Sequence, residues 1–272
     1  MRVDETTIEI AGDPVFFRSA APPEHGAAPV YLHGLPTSSD IWVPLLERTG
    51  GLAPDLRGFG RSAKGGHLDY SIDGYTDFVE QFLADRGAKQ IKLVAHGWGT
   101  VPGLALAQRD PSRIERIVLI SPVPLSAGFK PPRIARMLRT PVLGELAMGA
   151  TNRMLLARTL RNASAHPDDA WPPERTDAAW SHFDQGTQRA ILRVHRCFDP
   201  AALTSHGEHL AAITAPTLIV HGQQDPWFEP ALAGAWTERL PNAQTELIAG
   251  AGHWPWLDRP ETAELIVEFL SS

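Results

Sequence analysis

Short β-branched and apolar runs alternate along the chain with stretches whose apolar residues recur every three or four positions. That alternation predicts an α/β fold, a mostly parallel sheet with helices on both faces. Strands are predicted over 6–10 and 15–19, joined as a hairpin by Gly12-Asp13-Pro14, and then over 28–34, 52–56, 90–96, 114–121, 215–222 and Ala243–Ile248. A helix starts near Ser39 or Asp40, either of which can cap it, with Ile41, Trp42, Leu45 and Leu46 as the buried stripe. Ser71 caps a second helix that runs to Arg86 and stops at Gly87, and others follow over 101–108, 230–239 and 261–270. From Pro122 the alternation stops: up to Leu203 there is no convincing strand, several helical stretches and many Pro and Arg. An insertion of that length is expected to be a lid rather than a loop. The division predicted is a core of residues 1–122 and 204–272, with a helical cap over 123–203.

Composition narrows this reading only a little. The 272 residues, 43% of them hydrophobic, suffice for one large core plus a subdomain. A net charge of −6 gives no electrostatic reason to expect nucleic acid. Cys197, the single cysteine, excludes an internal disulfide and is expected as a packed core or lid thiol in a reducing compartment. The first ten residues lack the apolar stretch of a secretory leader, and no apolar run approaches the ~18 residues needed to span a bilayer. The expectation is a soluble cytoplasmic protein, monomer or homodimer, with no nucleic-acid or membrane partner. Residues 130–161 carry seven basic side chains and one acid, Glu145, read first as a solvated helix face, then as a site for an anionic substrate or a docking partner, and last as a membrane-surface contact.

The chemistry gathers in loops after strands. In His96-Gly97-Trp98-Gly99 an apolar strand runs into a tight turn and a helix, the layout of a nucleophile elbow, but its centre, Gly97, has no side chain. His33-Gly34 follows an earlier strand, Gly58-x-Gly60-x-Ser62 makes a glycine turn, and two late loops hold Asp225 and His253. The order elbow, acid, histidine is that of α/β-hydrolase triads. Over essentially its whole length the chain resembles the capped epoxide hydrolase and haloalkane dehalogenase branch of the α/β-hydrolase superfamily. The stretch from His33 to Trp42 is similar to the oxyanion-loop motif of dehalogenases, and His96–Gly99 to a His-Asp-Trp-Gly elbow.

The resemblance implies an eight-stranded sheet with the cap inserted after the sixth strand. It implies His253 as general base, Asp225 as its orienting carboxylate, and the backbone N–H groups of Leu35 and Trp98 as an oxyanion hole. The chain also departs from that pattern. Gly97 removes the ester-forming aspartate, Leu35 stands where dehalogenases hold halide with asparagine, and none of the tyrosines, Tyr31, Tyr70 and Tyr75, falls in the cap. An elbow centre sits at positive φ, which costs a non-glycine residue about 1–3 kcal/mol, so glycine relieves strain once no nucleophile is needed.

Other polar residues receive plainer readings. Asp225 can also cap the segment after it. His33 and His96 are expected as structural hydrogen-bonders, Ser62 as a turn residue, and Ser121 as a strand end with no base aimed at it. Trp98, Trp227, Trp254 and Trp256 crowd the site loops, and with Leu35 they suggest an apolar, aromatic-walled pocket. Substrate contacts are expected from Trp98, Leu35, Trp227 and Trp254. In the cap His166, His182, His195, Asp168, Asp169 and Asp184 could each supply an acid or base, but their spacing fits no metal site. No cofactor is expected. The function read from these residues is an enzyme acting on a small apolar or aromatic substrate, by water activation or proton transfer without a covalent nucleophile. The alternatives are an epoxide hydrolase or dehalogenase whose aspartate has been replaced by Gly97, and a non-catalytic binding protein.

Overall fold

A computed structural model describes every residue except 22–25 and 127–128. Eight strands form one sheet: β1 (Asp4–Ile10), β2 (Asp13–Ala20), β3 (Ala28–Leu32), β4 (Gly51–Pro54), β5 (Ile91–His96), β6 (Ile114–Ile120), β7 (Thr217–Gly222) and β8 (Ala243–Ile248). Their spatial order is β1-β2-β4-β3-β5-β6-β7-β8; β2 pairs antiparallel with β1 and β4, and every other pair is parallel. The central strands β5 and β6 are covered on both faces over their carboxyl halves, which read as the apolar runs Leu93–Ala95 and Ile117–Ile120, while Lys92, Glu115 and Arg116 lie at their amino ends. The edge strands β1 and β8 alternate between covered and solvent-facing positions instead.

Three helices accompany the first strands: α1 (Val43–Thr49), α2 (Ile72–Asp85) and α3 (Thr100–Arg109). Between β6 and β7 lie α4 (Arg133–Arg139), α5 (Leu143–Ala150), α6 (Arg153–Asn162), α7 (Pro167–Ala170), α8 (Pro173–Ser181), α9 (Gln185–Cys197) and α10 (Pro200–His206). The chain closes with α11 (Gly234–Thr237), α12 (Pro255–Asp258) and α13 (Glu261–Ser271).

Four details differ from the sequence expectation. The helix after β3 is capped by Ser38, whose Oγ accepts from Asp40 N, and opens as a 3-10 turn over Ser39–Trp42 before α1. The strand expected over 52–56 ends at Pro54; Asp55 N makes one more bond, to Phe16 O (2.8 Å), and the buried Asp55 carboxylate accepts the N–H groups of Ser39 (2.7 Å) and Arg61 (2.8 Å) as the chain turns away. The helix expected over 230–239 is a 3-10 turn, Pro230–Leu232, followed by the four-residue α11, with Gly234 at the break. Cys197 is exposed at the last position of α9, not packed.

The turn 55–62 buttresses the loop after β3. A Cβ on Gly60 (φ +55) would overlap the Asp55 carboxylate, so glycine there lets the backbone wrap the acid. Ser62 Oγ donates to Asp55 O (2.7 Å) and accepts from Phe16 N (3.0 Å), which makes it a structural residue. Leu56 N donates to His33 Nε2 (2.9 Å), and His33 Nδ1 donates to Gly34 O (2.9 Å), fixing one tautomer. Burial lowers the His33 pKa and keeps that ring neutral, although Asp55 opposes the shift.

Candidate active site

All the site loops leave the carboxyl edge of the sheet, where α/β proteins bind ligands. β5 runs straight into Gly97, which adopts φ +51, and a 3-10 turn over Gly97–Gly99 feeds α3. The turn is tight: a Cβ on Gly99 would lie 2.5 Å from His33 O, so only glycine fits there. Thr100 Oγ1 ties the turn down by donating to Gly97 O (2.6 Å). The two glycine turns abut, since a Cβ built on Gly97 would be 3.7 Å from Gly34 Cα. The residues that follow them, Leu35 and Trp98, therefore start from neighbouring points, and both line the same cavity.

The carboxylate and the imidazole expected together do meet. His253 Nδ1 donates to Asp225 Oδ2 at 2.8 Å, with both side chains buried. Asp225 Oδ1 accepts the N–H groups of Trp227 (2.8 Å) and Phe228 (3.1 Å), so this acid caps its own turn and holds the histidine at once. Burial alone would raise its pKa; the charge and hydrogen bond of His253, with help from His221 and Trp227 N–H, outweigh burial and bring it to about 2. The carboxylate is thus ionised at any working pH. The other ring nitrogen faces the empty elbow: a Cβ on Gly97 would stand 3.4 Å from His253 Nε2, in ordinary contact. Nε2 has no hydrogen-bond partner among the described residues.

Two further histidines frame this pair without competing for it. His96 Nε2 donates to His253 O (3.0 Å), and His221 Nε2 donates to Phe228 O (2.8 Å). Burial drives both pKa values down and holds the rings neutral, as hydrogen-bond donors to backbone. The cap is fastened to the same loop. His253 N donates to Ala163 O (2.7 Å), at the end of α6. The buried Asp258 carboxylate accepts from Gly252 N (2.7 Å), Ala165 N (3.1 Å) and His166 N (2.9 Å). Sequence reasoning missed Asp258; an acid directly after the apolar run from Trp254 to Leu257 was the available signal.

Above Gly97 and His253 lies a cavity of about 380 Å³, walled by core loops and by α4, α5, α6 and α9. Its lining is apolar except for Thr151, Thr159, His195 and His253. Of the cap groups considered from sequence, only His195 reaches this cavity. Its ring stands edge-on to Trp98 (5.1 Å between centroids), and its Nδ1 is buried without a partner. Burial, assisted by the charge of Arg139, lowers its pKa to about 4, so it is a neutral imidazole. Leu35, Trp98 and Trp227 line the cavity as expected of substrate-contacting residues, but Trp254 does not. Trp254 is fully buried behind the site, edge-on to Trp171 (4.8 Å) and to His253 (4.9 Å). Trp256 also belongs to the core, stacked on Trp42 at 4.9 Å. Ser121 (φ +43) is buried at the end of β6 and does not line the cavity. Among the described residues no group of three or more His, Cys, Asp or Glu side chains could hold a metal ion.

Comparison with known proteins agrees with this architecture. A family model described as "alpha/beta hydrolase fold" matches residues 30–260. A haloalkane dehalogenase of Bradyrhizobium diazoefficiens is 31% identical over 262 residues, covering 83% of this chain and 82% of that protein. A 2-hydroxymuconate semialdehyde hydrolase of Pseudomonas putida is 27% identical, covering 81% of this chain and 76% of its own. Among solved structures, Cfl2 of Burkholderia cenocepacia superposes with a TM-score of 0.86 at 20% identity, covering 98% of this chain and 95% of that one. The epoxide hydrolase CorEH superposes with a TM-score of 0.81 at 20% identity, covering 99% of each.

Proposed function

We propose, for a chain that belongs to the α/β-hydrolase fold family in its haloalkane dehalogenase-like branch, that it is an enzyme acting by proton transfer to a fixed imidazole and forming no ester with the protein. One observation carries this reading. His253 is held by Asp225 at 2.8 Å with Nε2 directed at an unfilled elbow under an apolar cavity. With Nδ1–H committed to Asp225, Nε2 carries the lone pair, and Asp225 stabilises the imidazolium that forms when it accepts a proton. The proton comes from a water seated over Gly97, or from the substrate itself. The backbone N–H groups of Leu35 and Trp98 receive the negative charge that develops as the proton leaves. A positioned base contributes about 10² to 10⁴-fold and oxyanion donors about 10² to 10³-fold, so a useful rate survives the loss of a nucleophile.

The cavity sets the substrate class. An apolar enclosure whose wall holds neutral His195 as well as His253 suits a small uncharged molecule bearing one hydrogen-bonding group. Turnover of a panel of epoxides, haloalkanes and enolisable carbonyl compounds by the protein and by His253→Ala tests the proposal. A loss of at least about 100-fold is expected, and unchanged turnover overturns it.

A second reading is favoured by the room at Gly97, where a Cβ makes only ordinary contacts with His253 and Gly34. In it the ester-forming branch chemistry is silent for want of a carboxylate. Gly97→Asp then yields a covalent adduct detectable by mass spectrometry on one of the epoxides or haloalkanes. Absence of an adduct across the panel removes this reading.

A further inference from the structure

The cavity opens onto a part of the cap whose surface is unusual for a water-facing helix layer. Ile134 and Met137 on α4 and Leu155 on α6 both line the cavity and are exposed, so they form an apolar rim at its mouth. The same stretch of chain presents Val142 (68% exposed), Leu143 (54%), Leu146 (65%) and Met154 (75%). These seven are nearly all of the large exposed apolar side chains of the protein; only Met1 and Leu247 lie elsewhere among the described residues. Singly exposed apolar residues are ordinary, but a concentration around a cavity mouth marks a docking surface.

The tip between α4 and α5 is held in place rather than loose. Val142 adopts φ +70, a conformation that is costly for a β-branched residue. Its N–H donates to Glu145 Oε2 (2.8 Å), and Glu145 is itself tied to Arg196 of α9 (2.7 Å). The backbone is thereby fixed with an apolar side chain outward.

The charge around the patch identifies the occupant. Lys130, Arg133, Arg136 and Arg158 are exposed, and none makes an ion pair among the described residues. The single acid between residues 130 and 161 is the already paired Glu145. A second copy of the chain docked by a two-fold contact would set the same basic cluster against itself, an unfavourable arrangement. An anionic lipid surface offers what this face lacks, phosphates for the Arg and Lys side chains and an apolar interior for Val142, Leu143 and Leu146.

We infer that the α4–α5 face of the cap docks on anionic membrane surfaces, with the cavity mouth turned toward the lipid. The inference replaces the solvated-face reading of the sequence with the one ranked last there, because the structure shows that the apolar residues interleaved with the arginines are exposed. It is independent of the catalytic proposal, and its test measures no turnover.

Co-flotation of the full chain with phosphatidylcholine vesicles, with and without phosphatidylglycerol, tests it. Binding is expected to the anionic vesicles only and to weaken as salt rises. Arg133→Gln with Arg136→Gln should weaken partition about 25-fold, at about fivefold per basic residue. Leu143→Glu with Leu146→Glu should abolish it, with thermal unfolding unchanged because both side chains are exposed. No binding to anionic vesicles, or binding indifferent to both double variants, overturns the inference. So does sedimentation showing a dimer that Leu143→Glu with Leu146→Glu converts to monomer, since a second copy then covers this face.

Discussion

Replacing Gly97 by alanine separates the two things the elbow glycine does, relaxing a strained turn and leaving the imidazole a free approach. The methyl group meets no obstacle: its nearest neighbours would be His253 Nε2 at 3.4 Å, Gly34 Cα at 3.7 Å and His253 Cε1 at 3.8 Å. Steric overlap therefore contributes nothing, and the stability change comes from the backbone alone. Holding alanine at φ +51 costs about 1–2 kcal/mol, while the stiffer unfolded chain returns about 0.4–1 kcal/mol. The net loss is about 1 kcal/mol, a fall in Tm of about 2–4 °C for a chain of this size. The catalytic effect is far larger, because the methyl carbon occupies the contact position of whatever exchanges a proton with Nε2. Turnover should fall about as far as in His253→Ala, by 100-fold or more on the order of a lost general base. Circular dichroism melts and initial rates on the same preparations read both effects. A destabilisation above about 3 kcal/mol would mean the elbow is not open as described. Full activity in a stable Gly97→Ala protein would mean that His253 does not act across this gap.

Asp225 has a pKa of about 2 against an ordinary value of 3.8, so its ionised form stabilises the fold above pH 4 and that contribution disappears as pH falls from 3.8 through 2. Acid unfolding curves should show this loss, about 2 kcal/mol by linkage, and Asp225→Asn should lack it while also losing the His253-dependent activity. Asp258→Ala strands the buried Gly252 N–H and releases those of Ala165 and His166, which are only partly covered, and should cost about 1–3 kcal/mol, seen as a lowered denaturant midpoint, whereas Ser62→Ala loses its bonds to Phe16 N and Asp55 O and should leave turnover intact. His195→Phe makes the cavity wall wholly apolar at that point, so calorimetry should show tighter binding of a plain hydrocarbon and weaker binding of its hydroxylated analogue.

The sheet and the dyad were legible because their signals are local. Apolar runs such as 93–95 and 117–120 mark strands covered on both faces, and chemistry in such folds sits in the loops that follow. Trp254 was misplaced because nearness in sequence to His253 says nothing of direction: the structure puts one ring in the cavity wall and the other behind it. His195 carried a usable signal, since Ile191 lies one helical turn before it and shares its cavity-facing side of α9. Asp258 carried almost none, because two of its three donors come from Ala165 and His166, more than 90 residues away. The helix expected over 230–239 is broken by Gly234, a glycine inside an apolar pattern.

The bonds from Ala163 O to His253 N and from Asp258 to residues 165 and 166 fasten the far end of α6 to the strip of backbone that carries the base. Any wide excursion of the lid at that end would drag the imidazole off its carboxylate. A ligand that enters past Ile134, Met137 and Leu155, which line the cavity and reach solvent, need not disturb this anchored seam. The ring's aim is then preserved, and the molecule admitted finds its proton acceptor already in position.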